Sequence, residues 1–264
     1  MKYFFSFGYP KSGTTYLQML LNSHPDLSCP AEHQLFILFE GLTKLFTDYN
    51  KQIHSINQRM TKKDLALFKN DDIDSLAKHL IELALKRGSL SKAVKLYGLK
   101  DNSILQWLQL YTHFFPKEKY IMIVRDPRNI GISQWNRSLR KDKNLIKGNN
   151  IDDYTTKVIN KWARNMNNVN KIIDKNPDKF FICKYENLNK KNDELKKIFK
   201  FLSVSYNNEI IQKILNSNSI DKFKNNKFFG KGFFTNWKEE LKPTINEKII
   251  NTHGNLLKKY GYLD

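Results

Sequence analysis

The stretch FGYPKSGTTYLQ, residues 7–18, sets Gly8 and Gly13 at the spacing of a Walker-type phosphate loop and follows them with Thr14 and Thr15. Glycines let the backbone approach an anion closely, successive N–H groups make a concave nest, and the helix that follows points its positive end at the ligand. In an ATPase or kinase the lysine after the second glycine reaches the β and γ phosphates, and a Ser/Thr with an acidic partner holds magnesium across them. Here that position is Thr14, and the nearest lysine, Lys11, lies inside the loop. Lys11, Ser12, Gly13, Thr14 and Thr15 therefore form a candidate cradle for a shorter anionic chain, one without a β/γ pair to bridge.

A second anion-binding group stands at the end of the apolar run YIMIV. Arg125 follows that run directly, and Ser133 comes eight residues later, in a segment expected to be helical. A guanidinium at a strand end makes paired, charge-assisted contacts to a phosphate, and a serine hydroxyl adds a donor. Two anion sites imply a ligand that carries an anionic group at each end. Two further segments occupy comparable places after apolar runs: Lys100-Asp101-Asn102, and Tyr185 with the residues that follow it.

These residues carry a family resemblance. YPKSGTTYL resembles the 5'-phosphosulfate loop of sulfotransferases that use 3'-phosphoadenosine-5'-phosphosulfate (PAPS), with the lysine in that family's place, and VRDPRNIGIS resembles the 3'-phosphate motif, on which Arg125 and Ser133 fall. CKYENL is similar to the segment in which the family sets a tyrosine against adenine, which nominates Tyr185; Tyr16 stands where the family usually has tryptophan. GKGFFTNW is similar to the family's RKG segment with its downstream Trp and nominates Lys231 and Gly232 for the 3'-phosphate, although Gly230 replaces the usual arginine and removes one charge. The resemblance implies transfer of a sulfuryl group from PAPS to a hydroxyl or amine, release of 3',5'-bisphosphoadenosine (PAP), and no catalytic metal.

For the general base the resemblance divides. Cytosolic members use a histidine in a KTH-like segment after the second strand, where this chain has LKDN with Asn102 in the corresponding place. The tyrosylprotein branch uses a glutamate shortly after an HPD turn, and SHPDLSCPAEHQ sets Glu32 at the same distance from the loop lysine, with His33 beside it. A carboxylate can act as base once a closed pocket raises its pKa, and a histidine needs less adjustment. The resemblance makes Glu32 the preferred base and His33 the second; Lys100 is expected near the sulfuryl group or acceptor, and Asp101 as its orienter or an alternative base.

The elements that must position these groups alternate. KYFFSFGY is a buried strand, followed by the loop and a helix over 14–22; KAVKLYGLK is a second strand, KYIMIVRD a third and KFFICKY a fourth. Helices are expected over 103–114, from Pro127 to 140, over 152–174, 188–202, 208–215 and 243–259, with a basic glycine-containing loop around Lys231. The fold class is α/β, a parallel sheet flanked by helices on both faces in the manner of P-loop nucleotide-binding domains, in one domain over 1–264. Residues 35–87 carry helical apolar spacing and are expected to form a helical insertion that shapes the acceptor site. In such sheets ligands bind beyond the carboxyl ends of the strands, where the residues named above fall.

Composition narrows the classes. The chain has 264 residues, is 40% hydrophobic and 13% aromatic, and so has the apolar area to fold as a globule. The formal charge of +19 invites a nucleic-acid partner, but lysine is spread along the whole chain, so no nucleic acid is expected and a general attraction for anionic ligands is. Cys29 and Cys183 show no metal-ligand or disulfide spacing. The apolar stretch from Tyr3 to Phe7 is too short for a signal or membrane segment, and a cytoplasmic protein is expected. The acceptor stays open among small molecules, carbohydrates, lipids and peptides, as does the oligomeric state. A P-loop kinase or nucleotidase is the competing enzyme class, and a basic nucleic-acid-binding protein the non-enzymatic one.

Overall fold

The computed structural model describes residues 2–31, 34–62, 65–88, 93–188, 192–219 and 236–263. Its elements in order are β1 (Tyr3–Gly8), α1 (Thr14–Asn22), β2 (Leu27–Ser28), α2 (Phe36–Arg59), α3 (Asn70–Arg87), β3 (Leu96–Lys100), α4 (Ile104–Phe114), β4 (Lys119–Val124), α5 (Pro127–Lys141), α6 (Ile151–Ile173), β5 (Phe180–Lys184), α7 (Tyr185–Leu188), α8 (Asn192–Leu202), α9 (Asn208–Ser217), α10 (Trp237–Glu240) and α11 (Pro243–Lys259). The strands form one sheet in the order β2-β3-β1-β4-β5, and every pairing is parallel.

β1 is buried along its whole length, and its side chains alternate between two cores. Phe5 and Phe7 enter the core that contains Trp162, Met166 and Leu257, from α6 and α11. Phe4 points the other way, against Leu17 and Leu20 of α1 and Phe199 of α8. Helices thus cover both faces, as the alternating pattern requires, and β1 sits at the centre with β3 and β4 beside it. The register pairs Ser6 with Lys100 and Gly8 with Ile123, which brings the glycine loop, the LKDN segment and Arg125 to one edge of the sheet.

Three details differ from the sequence reading. β2 is a strand of two residues that has no detectable period; it is held to the outside of β3 through Leu27–Leu96 and Ser28–Tyr97. The second expected strand shortens to Leu96–Lys100, and the helix expected from 188 is two elements, α7 and α8. The 35–87 region is the helix pair α2 and α3, docked on the α6-side core through Phe39, Ile81 and Leu85.

Candidate functional site

The loop between β1 and α1 turns on two residues with left-handed backbone, Lys11 (φ 76°) and Gly13 (φ 95°). A lysine in that region costs roughly 1–2 kcal/mol, so the surrounding structure must hold it there. Part of that hold is visible: the Ser12 N–H donates to the Tyr9 carbonyl (3.0 Å), and Arg125 Nη1 donates to the Lys11 carbonyl (3.3 Å). Gly13 also needs its missing side chain, because a Cβ there would lie 2.3 Å from Cδ2 of Tyr185. The same Tyr185 ring carries the Arg125 guanidinium on its face, 4.6 Å from the centroid. Lys11, Gly13, Arg125 and Tyr185, far apart in sequence, therefore form one assembly at the carboxyl ends of β1, β4 and β5.

The start of α1 has no side-chain cap and no acidic residue in its first turn, whereas α5, α6 and α9 are each capped by an Asp or Asn. Ser12, just before Gly13, and Ser133, on α5, are both buried, and their hydroxyls have no hydrogen-bond partner among the described residues. Buried hydroxyls are ordinarily satisfied. Two of them, with a helix N-terminus, Lys11 and Arg125, are the donor set an oxyanion-bearing ligand would complete.

The electrostatics agree. Burial, then the neighbouring charges of Arg137, Arg140 and Arg125, lower the Lys11 pKa to about 8. Burial also pushes Arg125 below the usual guanidinium range, against the opposing pull of Tyr185, Glu186 and Asp126. The adjacent carboxylate is engaged elsewhere: Asp126 makes a paired contact with Arg128 (2.8 Å), whose guanidinium stacks on Trp237 (3.8 Å) and also donates to Asn246 and to the Tyr262 carbonyl. Glu186 accepts from the Asp126 N–H and from the Tyr262 hydroxyl, tying β4, β5 and the C-terminal segment together behind Arg125. Sequence reasoning gave Arg128 and Glu186 no role of their own. Arg128 lies within the DPRN segment but pairs with the aspartate two residues before it, and that pairing leaves no periodic signature.

Of the other expected residues, Thr14 and Tyr16 are buried and Thr15 is half-buried, all in the first turn of α1. Tyr16 and Tyr185 belong to the same core cluster. Lys100 is buried at the end of β3, close enough for its charge to act on Cys29. Cys29 in turn is tied to α1, its N–H donating to Asn22 Oδ1 and its carbonyl accepting from Gln18 Nε2. Glu32 and His33 lie outside the described residues, as do Lys231 and Gly232. Asp101 is buried, with one carboxylate oxygen accepting from the Ser103 N–H and the other without a hydrogen-bond partner among the described residues.

A cavity of about 560 Å³ opens beside Lys11. The loop supplies Tyr9, Pro10 and Lys11; the segment after β3 supplies Asn102, Leu105 and Gln106; α5, α6 and Asn149 between them supply the rest, including Gln134, Arg137, Lys141, Tyr154, Lys157 and Lys161. Among the described residues, 35–87, expected to shape the acceptor site, contribute no lining residue to it. Asn102, which stands where the KTH-like segment of cytosolic members has its histidine, does line it. Lys11 thus stands between a buried anion cradle and an open cavity.

A parallel sheet with a lysine-bearing glycine loop, a strand-end arginine and unfilled buried hydroxyls defines a P-loop-like α/β protein built to hold an anionic ligand. The model of the sulfotransferase family matches residues 4–208, and the chain belongs to that family. Among sequence relatives, human protein-tyrosine sulfotransferase 1 is 26% identical over 158 residues, covering 60% of this chain and 38% of its own length. The Drosophila melanogaster protein-tyrosine sulfotransferase is 25% identical over 206 residues, covering 77% of this chain and 38% of its own. This chain therefore spans well under half of either relative's length. In fold, it is similar to mouse sulfotransferase SULT7A1 complexed with PAP (TM-score 0.64, 18% identity, 97% of this chain and 85% of that one). It is also similar to the sulfotransferase domain of the Synechococcus PCC 7002 olefin synthase (TM-score 0.57, 19% identity, 96% and 94%). Membership in the family sets aside the kinase and nucleic-acid-binding alternatives.

Proposed function

We propose that this sulfotransferase binds PAPS in the cradle formed by the glycine loop, Arg125 and Ser133, and transfers its sulfuryl group to a hydroxyl or amine presented in the cavity beside Lys11. The observation that carries this is the position of Lys11, whose backbone carbonyl is held by Arg125 while its residue lines the cavity on the other side. PAPS, when bound, supplies the sulfuryl group; an acceptor O–S (or N–S) bond forms as the S–O bond to the 5'-phosphate breaks, with the electron pair left on the phosphate oxygen. The chain's own part is to hold and neutralise. Ser12 and the first-turn amides of α1 offer donors at the loop, Arg125 offers them at the strand end and Ser133 from α5, and Lys11 faces the charge that develops between donor and acceptor. Tyr185, already packed between Gly13 and Arg125, is the candidate neighbour of the adenine, with Tyr16 next to it.

The acceptor proton needs a base, and Glu32 keeps that role, with His33 and Asp101 as successors. The names of the relatives favour a protein tyrosyl hydroxyl as one acceptor to try. Thermal unfolding tests the donor reading: PAP at a hundredfold excess over its Kd adds about 2.7 kcal/mol of apparent stability, whereas ATP with magnesium adds far less. Arg125→Ala abolishes the PAP response, while Glu32→Gln keeps it and loses transfer of labelled sulfate. An Arg125→Ala protein that still responds fully to PAP overturns the assignment.

A further inference from the structure

The cavity beside Lys11 has an unusual lining. On α5, Gln134, Arg137, Ser138 and Lys141 recur at intervals of three and four; on α6, Tyr154, Lys157, Val158, Lys161 and Asn165 do the same. Each set is one helix face, because residues three and four apart project from the same side. The two faces meet because α5 and α6 pack unusually closely: a Cβ on Gly131 would stand 2.4 Å from the Thr155 side chain. Arg137, Lys141, Lys157 and Lys161 thereby converge with Lys11 on one space, and no carboxylate lines it among the described residues.

Such an arrangement is not neutral for the fold. Like charges at i and i+4 destabilise a helix slightly, and here there are two such pairs facing each other. Among the described residues, these four groups make one hydrogen bond, from Lys157 Nζ to the neutral amide oxygen of Asn149, 2.6 Å. A solvated helix face would mix signs, as α8 does with Lys196 beside Asp193 and Lys197 beside Glu194. The same charge bears on the loop, since Arg137 is the largest neighbouring-charge contribution that lowers the Lys11 pKa.

The rest of the lining identifies the kind of anion. Amides complete the lining: Gln134, Asn149 and Asn165 each already donate to a backbone carbonyl (Pro10, Lys147 and Lys161), which leaves the Asn165 oxygen to accept from a hydroxyl and Gln106 to donate and accept. Tyr9 and Tyr154 bring aromatic rings, Tyr154 braced by its hydroxyl contact to Ser138 (3.1 Å) and by the Trp135 ring (5.4 Å between centroids). Polar amides, ring faces and a cation cluster in a cavity of about 560 Å³ suit a short length of carbohydrate bearing carboxylates. Resting on the sulfotransferase reading of the same site, we propose that the acceptor is an acidic saccharide, with its uronic carboxylates read by Arg137, Lys141, Lys157 and Lys161 and its hydroxyl brought to Lys11.

Titration calorimetry on the PAP-saturated protein tests this with three probes. They are a tetrasaccharide of alternating glucuronic acid and N-acetylglucosamine, the neutral tetramer of N-acetylglucosamine, and a tyrosyl peptide flanked by aspartates. The acidic saccharide is expected to bind at least about tenfold more tightly than the other two, and the double variant Arg137→Gln/Lys157→Gln to lose about tenfold of that affinity (~1.4 kcal/mol). The variant is expected to keep the thermal response to PAP, so a failure of the donor reading shows up separately as a wild-type protein with no PAP response. Equal binding of the two saccharides, no binding of either, preference for the peptide, or an unaltered affinity in the double variant each overturns the proposal.

Discussion

The two sides of Lys11 are built by different means. The donor side is made of backbone and buried side chains: the left-handed turn at Lys11 and Gly13, the uncapped start of α1, and Ser12, Arg125 and Ser133, each at most 5% exposed. The cavity side is made of long, exposed side chains, Arg137, Lys141, Lys157 and Lys161, that reach inward from helix surfaces. A backbone-built site is fixed by strand register and tolerates few substitutions. A site made of exposed side chains can be rewritten one residue at a time while the fold stays as it is. The difference separates what this family member shares, the donor chemistry, from what it can specialise, the acceptor.

Lys11 belongs to both sides, so its removal gives the largest expected effect. Lys11→Ala is expected to lower kcat for sulfate transfer by about 10²–10³, the range for losing one preorganised donor aimed at developing charge. A substitution confined to the cavity side, such as Lys161→Gln, acts instead on KM for the acceptor. Steady-state kinetics with labelled PAPS distinguishes the two, and a Lys11→Ala enzyme altered only in KM would erase the asymmetry.

Gly13→Ala sharpens the same comparison through stability. The new Cβ meets the Tyr185 ring at 2.3 Å in a backbone region L residues rarely occupy, so the ring or the loop must move. The expected loss is ~1–3 kcal/mol in chemical denaturation, accompanied by weaker PAP binding because Tyr185 also supports Arg125. Arg137→Gln, at an exposed position, is expected to stay within about 0.5 kcal/mol of the parent. Equal stability of Gly13→Ala and the parent would mean that the loop is not held by Tyr185.

The same contrast explains what the sequence disclosed. β1, β4 and the start of α1 were legible because two-sided burial makes an unbroken apolar run and because glycine punctuates the turn, and the helices α1 and α11 fall where their Gly13 and Pro243 signals put them. Lys11 and Arg125 were legible because they follow strand ends, where register fixes what emerges, and Ser133 because VRDPRNIGIS resembles the family's 3'-phosphate motif. β2 was hidden by its two-residue length. The cavity was hidden by composition: in a chain of formal charge +19, the i,i+4 pairs Arg137/Lys141 and Lys157/Lys161 look like any solvated lysine face until α5 and α6 are seen side by side. Nothing in one helix says that its basic face has a basic partner.

The smallest effect concerns proton uptake. In the folded, ligand-free protein Lys11 titrates near 8, mainly through burial, against an ordinary lysine value of 10.5. The unfolded chain therefore holds more protons between about pH 8 and 10.5, and Lys11 makes the ligand-free fold gain stability as pH rises through that window. An anion in the cradle reverses the local balance, because an opposite charge raises the lysine pKa. Above pH 8 the complex then binds a proton that the free protein lacks, so PAP affinity falls as pH rises, by at most about tenfold per pH unit. Below pH 8 both forms are protonated and Lys11 adds no slope. Calorimetry above about pH 7.5 avoids the phosphates' own titration near 6, and the expected result is a PAP Kd that is level to about pH 8 and weakens beyond it. Lys11→Arg, which stays charged throughout, should flatten that rise. If the arginine variant weakens with pH as steeply as the parent, the proton is being taken up elsewhere and Lys11 does not touch the bound anion.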